Sequence, residues 1–147
     1  MDPKVVENEL RSHKIREGPI YKRTKFLQEW RERWMVLTMN YILIFTSRNL
    51  KELAEFIDLR EVKTYKSYLR KEEDMIPAGF KIRTLEDMFY FCARNCNEKW
   101  TWLVSLERLM DFKYAGKSPY NNAEMIKTKG FMGQREFERG KFDEPEF

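Results

Sequence analysis

Between residues 18 and 93 the chain breaks into short runs dense in β-branched and aromatic residues. Immediately after them the apolar period lengthens from two to about 3.6 residues. That single late change of period is the pattern of an antiparallel β structure closed by one amphipathic helix. Seven strands can be drawn, at Gly18–Lys25, Arg33–Thr38, Tyr41–Thr46, Ala54–Leu59, Glu61–Lys66, Gly79–Thr84 and Met88–Ala93. Thr38-Met39-Asn40 and Leu85-Glu86-Asp87 suit tight turns, so neighbours in sequence pair as hairpins. The stretch Leu69–Pro77, with Lys71-Glu72-Glu73-Asp74 in its middle, is polar enough for a solvated loop.

The helix follows from the placement of Trp102, Leu103, Leu106, Leu109 and Met110 on one face. Asn95 or Asn97 can cap it, Glu98 falls three residues after Asn95 as in a capping box, and Gly116 with Pro119 supplies a stop. Trp102 belongs in the core, whereas Trp100 points elsewhere and is partly exposed. Seven strands and this helix make a small barrel or sandwich capped at one end. Four of the six glycines lie beyond residue 112, and this shift divides the chain into a leader at 1–16 that can hold a short helix, a domain at 17–112, and a tail at 113–147.

Charge sharpens the picture once it is located. The net +4 looks small, yet residues 11–35 carry eight basic and three acidic side chains, while residues 36–112 carry twelve of each. An anionic partner is therefore expected near the first strands. Other chemistry is thinly represented. Uncharged apolar runs such as Tyr41 to Phe45 are far short of the roughly 20 residues of a membrane span. The opening Met1-Asp2-Pro3-Lys4 predicts no secretory signal, and Asp2 stands where myristoylation needs glycine. Cys92 and Cys96 are expected as reduced thiols in a cytosolic protein, and the single histidine, His13, is too far from them in sequence to suggest a metal site. With no nucleophile-base pattern and no glycine-rich phosphate loop, no enzyme and no cofactor are expected. Glu29 and Glu32 interrupt the basic stretch, which makes it thin for nucleic acid.

Three segments resemble the pleckstrin homology (PH) domain family. Glu17-Gly18-Pro19-Ile20-Tyr21-Lys22 is similar to its Gly-x-Leu-x-Lys opening, and Trp30-Arg31-Glu32-Arg33-Trp34-Met35-Val36-Leu37 to its Trp-basic-x-Arg-Trp-Phe-Val-Leu strand. In the helix, Trp102 stands where the family keeps its signature tryptophan. The resemblance covers about residues 15–112. It implies a mainly β, partly open barrel of seven antiparallel strands in two near-orthogonal sheets, capped by one C-terminal α-helix. It also implies a phosphoinositide headgroup site at the open end, on Lys22, Arg31 and Arg33. Where high-affinity members often carry a tyrosine inside the third strand, this chain reads Ile42-Leu43-Ile44-Phe45.

The same trio follows from strand geometry. Alternate residues of a strand share a face, so Arg31 and Arg33 lie together and Lys22 approaches them from the neighbouring strand. An anion between three such cations relieves their repulsion, and arginine grips phosphate bidentately. Arg23 and Lys25 add charge in the connecting loop, and Arg48 and Lys51 can supply further contacts. The loop also carries Phe26 and Leu27, which either dip into a membrane interface or fold back onto the barrel. In the tail, Tyr114, Tyr120, Phe131, Phe137, Phe142 and Phe147 alternate with glycines and charges, and Tyr120, Phe131, Phe137 and Phe142 are the expected anchors for a protein partner; a floppy tail is the alternative. The expected function is a non-enzymatic adaptor at the cytoplasmic face of a membrane, binding phosphoinositide or another anionic lipid. The alternative is a protein-binding subunit of a larger, for instance cytoskeletal, assembly.

Overall fold

The structure, a computed structural model, describes residues 1–67 and 78–114. The polar loop expected at Leu69–Pro77, the helix stop at Gly116 and Pro119, and the tail anchors Tyr120, Phe131, Phe137 and Phe142 lie outside the described residues. Helix α1 spans Pro3–Ser12, and strands β1 to β7 span Lys14–Arg23, Trp30–Thr38, Tyr41–Phe45, Leu53–Asp58, Val62–Ser67, Gly79–Thr84 and Met88–Cys92. A single 3-10 turn, Leu59–Glu61, follows β4, and helix α2 spans Cys96–Tyr114. Seven antiparallel strands followed by a C-terminal helix is the class read from the sequence. The chain forms two compact units, Met1–Val62 and Lys63–Phe147.

In the first unit the strands lie in the order β4-β3-β2-β1. β1 begins at Lys14, four residues before the expected start, because Lys14 and Arg16 pair with Thr38 and Leu37 across a register shift. β2 likewise begins at Trp30, since Arg31 and Glu32 face Lys22 and Tyr21 in the ladder. Backbone pairing admits charged side chains that composition alone would assign to a loop. Gly18 faces Met35, Met35 faces Ile44, and Leu37 faces Ile42, which itself pairs with Ile57. This face, with Ile20, forms buried core.

The opposite face of the same strands is also covered. There Val36, Leu43 and Phe45 form a second buried cluster, against which Val6 and Leu10 of α1 pack together with Trp34, Tyr41, Leu50 and Leu53. Burial on both faces explains why Met35–Leu37 and Ile42–Phe45 read as continuous apolar runs. α1 starts cleanly because the Asp2 carboxylate accepts the Lys4 N–H at 2.9 Å and Pro3 occupies the first helical turn. Each aliphatic side chain it lays on the sheet contributes about 1 kcal/mol. A polar clasp fixes its far end: Asn40 Nδ2 donates to buried Glu9 Oε2 at 2.8 Å, with His13 Nδ1 3.5 Å from the same oxygen.

In the second unit the order is β7-β6-β5. Phe80 and Phe91 are direct partners across β6 and β7 and stack at 5.2 Å between ring centroids. The turn between them closes through Thr84, whose N–H donates to the Asp87 carbonyl at 2.9 Å and whose Oγ1 accepts the Asp87 N–H at 3.1 Å. Asn95 caps α2, its Oδ1 accepting the Glu98 N–H at 2.9 Å. The Glu98 carboxylate takes the Arg94 guanidinium, with Nη2 2.6 Å away.

Trp102, Leu103, Leu106, Leu109 and Met110 are buried, and Trp100 is half-exposed, as the helical spacing implies. Lys99 is the exception to that pattern, since its side chain is wholly buried. Its Nζ donates to Ser67 Oγ at 3.0 Å and lies 4.7 Å from the centroid of the Trp100 ring. A hydroxyl and an aromatic face together make burial of a cation tolerable. Cys92 is buried and Cys96 exposed, and the two are not joined in a disulfide. No described helix is long and apolar enough to cross a membrane, and no group of metal-binding side chains occurs among the described residues.

Candidate anion site on the first hairpin

The register of β1 and β2 decides which cations can act together. Lys22 pairs with Arg31 and Ile20 with Arg33, so Lys22, Arg31 and Arg33 share one face of the hairpin. Arg23 pairs with Trp30 and projects to the other face, its guanidinium carbon 5.9 Å from the centroid of the Trp30 ring. Arg48 is also apart from the trio, because it lies over Trp34 at 5.3 Å and Trp34 belongs to that other face. Of the six cations expected to bind together, the structure thus groups Lys22, Arg31 and Arg33, sets Lys25 in the adjoining loop, and turns Arg23 and Arg48 away.

The connecting loop is tightly closed. The Thr24 N–H donates to the Glu29 carbonyl at 2.8 Å, Thr24 Oγ1 accepts the Glu29 N–H at 3.0 Å, and Gln28 Nε2 donates to the Lys25 carbonyl at 3.0 Å. Gln28 adopts φ 56°, in the left-handed region that costs a residue with a Cβ about 1 kcal/mol. These bonds hold a four-residue tip, Lys25 to Gln28, on which Phe26 is 94% and Leu27 65% exposed. Of the two orientations open from sequence, the pair takes the outward one. Together the two side chains place adjacent apolar surface in solvent at the end of the hairpin.

Each cation of the trio is already engaged. Lys22 is only 3% exposed, and its Nζ lies 3.0 Å from Glu55 Oε2 and donates to the Arg23 carbonyl at 2.9 Å. Arg31 holds Glu29 through Nη2 at 2.8 Å and Nε at 3.3 Å. Arg33, half-buried, donates from Nη1 to the Glu32 carbonyl at 3.1 Å. Two of the three cations are thus bonded directly by carboxylates, Lys22 by Glu55 of β4 and Arg31 by Glu29 of the loop. Glu55 is the partner of this face that sequence reasoning did not single out. It reaches Lys22 because β4 pairs Glu55 with Ile44, on the same face as the trio, and only the register shows this.

On the other face, Glu17 is held below the usual carboxylate range by hydrogen bonds from Lys14 Nζ at 2.8 Å and Trp34 Nε1 at 2.9 Å. That bond orients Trp34 as a platform under Arg48.

Comparison with known proteins agrees with this architecture. A PH domain family model matches residues 14–111. A PH domain-containing protein of Dictyostelium discoideum is 29% identical over 110 residues, which make up 73% of this chain and 23% of the relative. The chain therefore spans about a quarter of the curated relative that it matches. Among solved structures, the Slm1 PH domain in complex with phosphoserine is 24% identical, with TM-score 0.56 over 65% of this chain and 94% of that one. The C-terminal PH domain of pleckstrin in complex with an inositol pentakisphosphate is 19% identical, with TM-score 0.56 over 65% of this chain and 94% of that one. Another Slm1 PH domain structure, in complex with inositol-4-phosphate, is 21% identical, with TM-score 0.56 over 66% of this chain and 95% of that one. At these identities the structural likeness carries the fold. The chain belongs to the PH domain family.

Proposed function

We propose that this PH domain is a non-enzymatic module that attaches to anionic membrane through its first hairpin, with a phosphoinositide headgroup as the expected ligand. The observation that carries the reading is the loop tip: Phe26 and Leu27 stand exposed beside Lys25 and at the end of strands bearing Lys22, Arg31 and Arg33. Apolar side chains that project past a ring of cations suit the boundary between headgroups and acyl chains. The ligands of the structural neighbours support the headgroup half, since phosphoserine and inositol phosphates all present phosphomonoesters. Arg23 and Arg48 have a peripheral part in this reading, adding long-range attraction from the other face. The tail, through Tyr120, Phe131, Phe137 and Phe142, holds a protein partner, and the whole works as an adaptor at the cytoplasmic side of a membrane.

A second reading, a protein-binding subunit of a larger assembly without a lipid site, draws on the carboxylates already bonded to Lys22 and Arg31. Vesicle co-sedimentation of the full chain separates the two. Attachment to membranes requires binding to phosphatidylcholine vesicles that contain phosphatidylinositol monophosphate, no binding to phosphatidylcholine alone, and a decline as salt screens the attraction. A chain that stays in the supernatant with every anionic vesicle at low salt favours the second reading.

A further inference from the structure

Strand β4 ends the sheet of the first unit, and no strand pairs with its far side among the described residues. The bond from the Leu59 N–H to the Asn40 carbonyl, at 3.1 Å, fixes the phase of its backbone. Successive residues of an antiparallel strand send their N–H and C=O groups alternately to one side and the other. Leu59 and Ile57 therefore turn theirs towards β3, while Asp58 and Phe56 turn theirs to the open side. Lysine or proline commonly guards such an edge, and β4 has neither. Its one bulge stands at Ala54, to one side of this stretch. Phe56 is 41% exposed there, its ring edge-on to Tyr41 at 6.1 Å between centroids.

We infer that β4 pairs antiparallel with β4 of a second copy of this chain, about a twofold axis through Phe56. Symmetric pairing of the open-side groups admits an axis at Glu55, Phe56 or Ile57, and side-chain charge chooses among them. An axis at Glu55 sets Glu55 against itself and Glu52 against Asp58, like charges in both places. An axis at Ile57 sets Phe56 against Asp58 and Ala54 against Arg60, with no complementary pair. An axis at Phe56 sets the two phenylalanines opposite each other, each N–H donating to the other's carbonyl. It also brings Lys51 to Glu61 and Glu52 to Arg60, and symmetry repeats both pairs at the other end. All four flanking residues are exposed. They lie beyond the ends of β4, so their long side chains meet without ladder bonds. Arg60 already holds Asp58 through Nη2 at 2.7 Å, yet with its side chain 76% exposed and five donors it can take Glu52 as well. The Tyr41 and Phe56 rings of the two copies then form one apolar row across the joined sheets. Pairing over so few residues makes a weak dimer, which depends on concentration.

The test is sedimentation equilibrium of the full chain from low micromolar to near-millimolar concentration, with amide hydrogen exchange across the same series. A monomer that passes to a dimer is expected, and the Phe56 amide should exchange more slowly as the dimer forms. Phe56→Lys opposes two ammonium groups on the axis and should weaken the dimer by roughly tenfold or more. Lys51→Glu replaces an attraction with a repulsion at both ends and should weaken it about fivefold. Adding Glu61→Lys to Lys51→Glu restores opposite charges and should return the dimer to wild-type strength, which a change in the monomer's own stability would not do. Residues 51 and 61 are exposed, so the charge exchange remains informative even if Phe56→Lys unfolds. A chain that is monomeric at every concentration overturns the inference and leaves the edge to another partner or to solvent. Protection of the Phe56 amide that does not vary with concentration overturns it in favour of a segment of the same chain. A dimer unmoved by both Phe56→Lys and Lys51→Glu places the contact elsewhere and also overturns it.

Discussion

A chain carrying Lys22→Met, Arg31→Ala and Arg33→Ala is expected to lose about 3 kcal/mol of affinity for vesicles containing phosphatidylinositol monophosphate, on the order of a hundredfold. The expectation adds three charges at about 1 kcal/mol each near an anionic surface. Glu29 and Glu55 deepen the effect, because without their cations both carboxylates face the membrane uncompensated. Methionine is chosen at position 22 because Lys22 is buried, so an unbranched side chain keeps the space filled once the ammonium is gone. Glu55, partly exposed, can take its hydration from solvent, so the fold should survive. Co-sedimentation over a salt series measures the affinity, and a flatter salt dependence should accompany the loss. Undiminished binding would place the anion site elsewhere.

The second large effect belongs to the loop tip. Phe26→Ser with Leu27→Ser should leave the unfolding midpoint unchanged, since neither side chain is buried in the free chain. Membrane affinity should nevertheless fall by about 2–3 kcal/mol, roughly fiftyfold, the transfer energy of two large apolar side chains partly withdrawn from water. Affinity for free inositol monophosphate should not change, because the headgroup meets the cations and not the tip. A variant that unfolds at lower temperature, or that loses the free headgroup equally, would show that the pair packs on the protein instead of entering lipid.

The first of these expectations draws on residues the sequence nominates, whereas its size depends on residues that it does not. Period and turn chemistry were enough to find β6, whose observed bounds Gly79–Thr84 match the expected ones, and to find the buried face of α2. Both signals are local: alternation is imposed by the pleat, and helical spacing by the turn. Strand ends in the first hairpin were less legible, since Arg31, Glu32, Lys14 and Arg16 are strand residues only because a partner strand lies opposite. The cover that α1 lays over Val36, Leu43 and Phe45 is likewise tertiary, although the unbroken apolar runs in β2 and β3 are its trace in the sequence.

At the site, alternation was sufficient to put Arg31 and Arg33 on one face. The same alternation turns Arg23, next to Lys22, to the other face, whereas the place of Arg48 was not legible, because a loop residue can bend back over an aromatic ring. Glu55 shows the same limit more sharply. Thirty-three positions separate it from Lys22, and no spacing rule predicts an ion pair between strands that are not neighbours in the sheet.

The central claim is that the face of Lys22, Arg31 and Arg33 receives the phosphate. Titrating the full chain with free inositol monophosphate while following backbone amide chemical shifts tests it most directly. The largest changes should fall on Lys22 to Arg33, with Glu55 moving through its bond to Lys22. Shifts confined to the Trp34 and Arg48 face, with the hairpin cations and Glu55 unmoved, would contradict it.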